Sequence, residues 1–154
     1  MVAVLHRSRL TSLCPQARVG DNRGMARPRI PDSEGLAAVR ACTSPDTREQ
    51  PESQGQPVDR ATRRLAVRYT LQVLTDRAPG HSVEVRIPPL AAVQAIPGPV
   101  HRRGTPSAVV EMAPTTWLDL ATGMTTWGQA KAAGLIRASG ERADLTSWLP
   151  LVSP

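Results

Sequence analysis

Side chains that could perform catalysis are few and scattered in the second half of this 154-residue chain. Glu111 and Asp119 fall on different predicted elements, so spacing alone does not pair them for acid–base catalysis. His81 and His101 flank predicted strands without a Cys or Ser partner in a recognisable order. Ser139 ends a predicted strand, but the chain has no Gly-x-Ser-x-Gly turn to activate a serine nucleophile. We therefore expect a protein that is not an enzyme.

Metal ions and cofactors also lack their usual sequence signatures. The two cysteines, Cys14 and Cys42, form no Cys-x-x-Cys motif and have no histidine cluster beside them. This pattern disfavours both a metal site and a disulfide framework. No glycine-rich phosphate-binding loop occurs in the chain. We expect neither a metal nor a cofactor.

The chain is strongly basic, with a formal net charge of +6. The densest basic cluster in the part predicted to fold is His101, Arg102 and Arg103, for which a solvated loop is the simplest interpretation. Arg102 and Arg103 could instead contact a lipid headgroup or carboxylate, which suits a guanidinium, or dock weakly on an anionic bilayer. Aromatic residues do not interleave with the cluster, so we expect no nucleic-acid partner.

The composition of the chain changes after its first third. Residues 1–24 show no periodicity, and Met25 begins a segment typical of a second and more natural start. A short helix is predicted near residues 33–43, and a polar linker follows it. We therefore expect residues 1–57 to be a disordered or peripheral extension and residues 58–152 to form one domain that folds by itself.

The predicted domain begins with a helix and continues with strands. Asp59 can cap a helix that runs to about Ala78, because apolar residues recur there at spacings of three and four. The period changes to two in residues 83–87, which is typical of a strand with one buried face. Further strands are predicted at residues 90–96 and 108–112. Three successive strands favour a meander.

Two short helices and a closing strand complete the predicted domain. Thr115 or Thr116 can cap the first helix and Thr125 or Thr126 the second, and the helices end at Gly123 and Gly134. A strand over residues 135–139 and an apolar tail follow. The sequence therefore predicts an α+β fold, with a mostly antiparallel sheet of about four to five strands packed against helices.

The order of these elements resembles the C-terminal half of the sterol-carrier-protein fold, in the short form common in actinobacterial proteins. The resemblance covers about residues 59–152, and its most specific parts are residues 117–123 and 134–145. It implies a domain whose sheet and helices enclose an apolar tunnel for fatty acyl chains, sterols or similar lipids. It also implies a lipid or another apolar small molecule as the partner, without catalysis.

Large apolar side chains in the last third of the chain could line such a cavity. Three tryptophans lie there, and their simplest role is to fill the core of a domain that has no Phe. Together with methionines they could instead border a void, since indoles and thioethers adapt to irregular apolar ligands. The predicted lining comprises Val85, Val110, Met112, Trp117, Leu120, Met124, Trp127, Leu135 and Trp148.

Two function classes follow from this sequence, and a third is weaker. The preferred function is a non-enzymatic lipid carrier with an apolar cavity. The alternative is a free-standing accessory or dimerisation module, similar to the C-terminal domains of thiol-dependent isomerase and transferase enzymes, which could form a homodimer. The third function class is a subunit of an uncharacterised enzyme.

The apolar stretches of the chain favour a cytoplasmic location. The opening apolar run is interrupted by charged residues too early for a signal peptide. The longest uncharged stretch, residues 87–100, contains four prolines. It is also shorter than the ~20 apolar residues of a membrane span.

Overall fold

The computed structural model describes residues 28–45, 58–98 and 108–153 of the chain. Met25, Cys14, Arg102 and Arg103 lie outside the described residues, and so do the predictions that concern them. In chain order the elements are α1 Asp32–Thr43, α2 Arg60–Arg77, β1 Val83–Ile87, β2 Ala91–Ala95, β3 Ala108–Met112, α3 Pro114–Thr122, α4 Trp127–Ala132, β4 Ile136–Ser139 and a 3-10 turn Thr146–Trp148.

The predicted α+β fold is confirmed, with the four described strands in a mixed sheet of order β2-β1-β3-β4. The β1–β2 and β3–β4 pairs are antiparallel, whereas β1 and β3 are parallel. The predicted meander is therefore wrong, because β3 pairs with the edge of β1 that β2 leaves free. Strand β2 returns the chain antiparallel to β1, so Ala95 at the end of β2 and Ala108 at the start of β3 both pair with Val83 at the same end of β1.

The helices cover one face of the sheet, and the alternation of side chains in β1 shows which one. Val83, Val85 and Ile87 have no exposed surface. Glu84 and Arg86 lie on the opposite face, where the Arg86 Nε lies 2.8 Å from the Glu84 Oε1. Because successive side chains of a strand point to opposite faces, the core lies between the helices and the face of the sheet that carries Val83, Val85 and Ile87.

Helix α2 lies centrally in this helical layer. Its N-cap is Asp59, whose Oδ1 accepts hydrogen bonds from the backbone N–H groups of Ala61 and Thr62 at 2.7 and 3.0 Å. Such a cap satisfies donors that an α-helix otherwise leaves unpaired at its first turn. The helix buries one stripe of its surface, formed by Ala66, Val67, Tyr69, Thr70, Leu71 and Leu74.

Helix α1 packs directly against α2 and contributes to the core. Val39 has no exposed surface, and the ring of Tyr69 lies against Gly35, where an added Cβ would overlap it. The side chain of Gln72 accepts a hydrogen bond from the Ile30 N–H at 2.9 Å and donates one to the Ile30 carbonyl at 3.0 Å. Helix α1 thus contributes to the same core as α2. The peripheral character of residues 1–57 and the independent folding of residues 58–152 stay predictions.

Within the described ranges, no helix combines the length and the hydrophobicity that crossing a bilayer would require.

Glycines reverse the chain at the ends of both short helices. Gly123 has φ 78° and Gly134 has φ 69°, a left-handed conformation that residues with a Cβ adopt at a cost. A Cβ added at Gly123 would lie 3.4 Å from the Cβ of Pro150, whereas one added at Gly134 would contact nothing within 4 Å. Both glycines therefore adopt the left-handed conformation, but only Gly123 has a neighbouring side chain within 4 Å of an added Cβ.

A substitution in α1 tests whether this helix belongs to the folded unit. We expect Val39→Ala to lower the free energy of unfolding by about 2 kcal/mol, because two buried methyl groups are lost and a cavity remains. Chemical denaturation of the full chain measures this change. The matched control is Arg40→Ala on the exposed side of the same helix. A Val39→Ala variant as stable as this control would mean that α1 is peripheral after all.

Substitutions at glycines test the helix stops. We expect Gly134→Ala to destabilise the protein by about 1–2 kcal/mol, because only the left-handed backbone opposes the added methyl group. Gly128 offers the opposite control, since it lies inside α4 with nothing within 4 Å of an added Cβ. Gly128→Ala should raise the melting temperature, because Ala is the better helix former. Equal melting temperatures for both variants would contradict this explanation.

Candidate functional site

The predicted cavity residues divide into two groups in the structure. Six are at least nine-tenths buried and belong to the hydrophobic core: Val85, Val110, Met112, Trp117, Leu120 and Trp127. Trp148 is partly buried and packs against this core. Met124 and Leu135 are instead 48% and 53% exposed.

The exposure of Met124 and Leu135 corrects their predicted inward orientation. Each residue directly follows a glycine of positive φ, Gly123 or Gly134. Such a glycine reverses the chain after the last helical turn, so the next side chain no longer continues the apolar stripe of the helix. The glycines were visible in the sequence, but the outward direction of the following side chain was not predicted.

Trp117 is held at the centre of the core by a buried hydrogen bond. Its indole N–H donates to the Thr70 Oγ1 at 2.8 Å, and the Thr70 hydroxyl donates in turn to the carbonyls of Ala66 and Val67 at 2.9 and 3.0 Å. The bond joins α3 to α2, and neither side chain has exposed surface. Sequence analysis did not single out Thr70. Its position beside Leu71 and three residues after Val67 placed it on the buried stripe, where a hydroxyl needs a partner.

A partly enclosed pocket lies between the turn that joins α3 to α4 and the C-terminal segment. Its volume is about 240 Å³. The walls combine apolar side chains with threonine hydroxyls, from Leu120, Gly123, Thr125, Thr126, Trp127, Thr146, Leu149 and Pro150. Two of the predicted cavity residues, Leu120 and Trp127, thus meet at this pocket, while Val85, Val110 and Met112 lie in the packed core.

Hydrogen bonds to main-chain carbonyl groups hold the C-terminal wall of this pocket in place. The N–H groups of Leu151 and Val152 both donate to the carbonyl of Ala121, at 2.7 and 3.0 Å. The guanidinium of Arg77 donates to the Pro150 carbonyl at 3.1 Å. The tail therefore forms one wall of a preformed site and is anchored to both α3 and α2.

Trp127 differs from Trp117 in the state of its indole N–H. Trp127 is the first residue of α4, where Thr126 and Gln129 form a capping box that fixes the helix start. Its side chain is 5% exposed, yet its Nε1 is buried without a hydrogen-bond partner. A buried indole N–H usually finds an acceptor. Trp127, a residue of the pocket wall, thus carries a donor that the described part of the protein leaves unsatisfied.

The groups that could support catalysis are separated or already engaged. Glu111 faces the Arg137 guanidinium at 3.7 Å on the open face of the sheet, and the His81 Nδ1 lies 2.9 Å from the Gln94 Oε1. Burial raises the pKa of the Cys42 thiol, which reduces its thiolate fraction at neutral pH. Across the described ranges, no three His, Cys, Asp or Glu side chains come together as metal ligands.

Removal of the Thr70 hydroxyl tests the contribution of the buried hydrogen bond. We expect Thr70→Val to lower the free energy of unfolding by about 1–3 kcal/mol, because the indole N–H of Trp117 stays buried without an acceptor. Denaturant unfolding of Thr70→Val, Trp117→Phe and the double variant gives the coupling between the two side chains. Purely additive effects would contradict the interaction.

Comparison with known families identifies one match. The family described as bacterial SCP ortholog matches residues 59–151, which include every described element from α2 to the 3-10 turn. No curated protein matches the chain.

Proposed function

The chain belongs to the bacterial SCP ortholog family, the sterol-carrier-like family that its element order resembles, and on this basis we propose that it is a non-enzymatic carrier of an apolar small molecule. The observation that carries the proposal is the pocket walled by Leu120, Trp127, Leu149 and Pro150. A concave apolar site with a few polar groups is the usual form of a small-molecule site. The cytoplasmic location expected from the sequence is part of the same proposal.

The size of the pocket limits the part of a lipid that it can hold. A volume of about 240 Å³ is below the range of typical ligand pockets, which begins near 300 Å³. It corresponds to about eight water-sized groups, at about 30 Å³ each. The proposed ligand is therefore a medium-length chain, or one end of a longer lipid. An acceptor atom on that ligand would satisfy the N–H of Trp127.

Nuclear magnetic resonance of the three tryptophan indole N–H groups tests ligand binding at this pocket. We expect titration with octanoic acid to shift the Trp127 indole resonance saturably, because the ligand lies beside that ring. The Trp117 indole N–H should stay close to its original position, since it is already bonded to Thr70. Trp117→Phe and Trp127→Phe variants assign the resonances.

Two further titrations make this result decisive. Trp127→Phe keeps an aromatic ring in the wall but removes the donor, so it should weaken octanoic acid binding and leave octane binding unchanged. Trp117→Phe is the matched control and should alter neither. If fatty acids, acyl-CoA and sterols all leave the three resonances unchanged, and freshly purified protein contains no lipid, the carrier function is wrong.

The alternative, an accessory or dimerisation module, is supported by the exposed apolar side chains of Met124 and Leu135. These are the exposed large apolar residues of the described surface, and Leu135 precedes β4, a strand at the edge of the sheet. An open strand edge is a natural site for pairing with another chain. A dimer in light scattering that Leu135→Glu converts to a monomer would favour this function. The weak membrane contact proposed for Arg102 and Arg103 is a separate feature of the carrier proposal.

A further inference from the structure

The first half of α2 carries an unusual arrangement of charge. Arginines occupy four of its first nine positions, and its first turn contains no acidic residue. The positive end of the helix dipole lies at this terminus and disfavours cations there. Arg60, Arg64 and Arg68 also recur at intervals of four residues, which places them on one face where like charges repel each other.

The same three arginines line a groove of about 500 Å³ along this face of the helix. The other described residues of its wall are Ala61, Thr62 and Leu65, and Leu65 is partly buried against the core. At 1.5 Å per residue, the row of guanidinium groups extends over about 12 Å. The groove thus combines a basic wall with a narrow apolar strip.

No carboxylate in the described residues neutralises this row. Ion pairs between described residues include Arg29 with Asp76, Arg86 with Glu84, and Arg137 with Glu111. Asp59 is the nearest carboxylate in sequence, but its oxygens accept hydrogen bonds from Ala61 and Thr62 of the first turn. A separate anion would complement the three guanidinium groups.

The other described grooves lack this character. The groove on the open face of the sheet contains both Glu111 and Arg137, which offset each other. The pocket beside Trp127 has no charged residue in its wall. That pocket also lies at the opposite end of α2, near Arg77, about 14 Å along the helix axis from Arg68. A ligand in the arginine groove would therefore occupy a second and separate site.

We propose that this groove binds a phosphate-bearing small molecule. Guanidinium groups form forked, charge-assisted hydrogen bonds with phosphate oxygens, and one helical turn brings Arg60 and Arg64, or Arg64 and Arg68, within reach of one such group. A diphosphate could engage all three. Ala61 and Leu65 would contact an apolar part of the molecule. The site does not depend on the carrier function, because it shares no residue with the pocket beside Trp127.

Calorimetric titration of the full chain with pyrophosphate tests this site. We expect saturable binding that Arg64→Gln weakens by about tenfold, because hydrogen bonds to charged groups are the strong ones. Gln is a good helix former, so α2 should remain intact. The triple variant Arg60→Gln, Arg64→Gln, Arg68→Gln should lose binding, and its melting temperature without ligand should equal or exceed that of the parent, since repulsion within the row is relieved.

The matched control is Arg40→Gln, an exposed arginine of α1 outside the groove. It removes the same charge as Arg64→Gln and should change pyrophosphate affinity by less than about twofold, because Arg40 is not a wall residue of the groove. Equal losses for the two variants would show that pyrophosphate responds only to the net charge, and would overturn the proposal. Absence of binding to the parent would overturn it as well.

Vesicle flotation distinguishes a free phosphate compound from a lipid headgroup. We expect the chain to bind pyrophosphate, and we expect Arg64→Gln to leave flotation with phosphatidylglycerol vesicles unchanged. Flotation with phosphatidylglycerol that Arg64→Gln abolishes, without pyrophosphate binding, would overturn the small-molecule site in favour of a membrane contact. Binding of a short DNA duplex that pyrophosphate does not displace would likewise overturn it in favour of a nucleic-acid surface.

Discussion

The buried face of the parallel β1–β3 pair is the constraint on which the rest of the structure depends. Val83, Val85 and Ile87 of β1 have no exposed surface, and Val110 of the neighbouring strand is equally buried. These side chains require a complete apolar cover, which α1, α2 and α3 provide. Strand β2 carries the chain back to the end of the sheet where β1 begins, which allows β3 to pair with β1 in parallel.

The hydrogen bond between Trp117 and Thr70 gives this cover a defined arrangement. Apolar contacts alone tolerate small shifts of one helix over another, whereas a buried donor and acceptor must meet at a fixed distance. The 2.8 Å bond fixes α3 relative to α2. The C-terminal tail is then anchored on the carbonyl of Ala121 in the same helix. The pocket beside Trp127 is thus formed by elements whose positions follow from the core.

Two arrangements in the described part of the protein leave polar or charged groups without a partner inside it. The N–H of Trp127 is buried without an acceptor, and the arginine row of α2 lines an open groove. Local rules of stability disfavour both arrangements, because a buried donor needs an acceptor and repeated like charges repel each other. Such departures from local consistency are typical of functional sites, and both proposals assign a role to one of them.

Local signals in the sequence predicted the order and type of the elements, because they act within a few residues. The threonine cap predicted for α3 is wrong, since that helix begins at Pro114 after Ala113, which makes no side-chain cap. The Asp59 cap, the alternation in β1 and the glycine stops each reflect backbone geometry that neighbouring residues impose. The partner of β3, the core position of Val39 and the different surroundings of Trp117 and Trp127 emerged only in the folded chain. They depend on contacts between residues far apart in sequence, such as Thr70 with Trp117, which are 47 positions apart. No short-range pattern specifies such a contact, because many long-range pairings satisfy the same local preferences and only packing of the complete core selects among them.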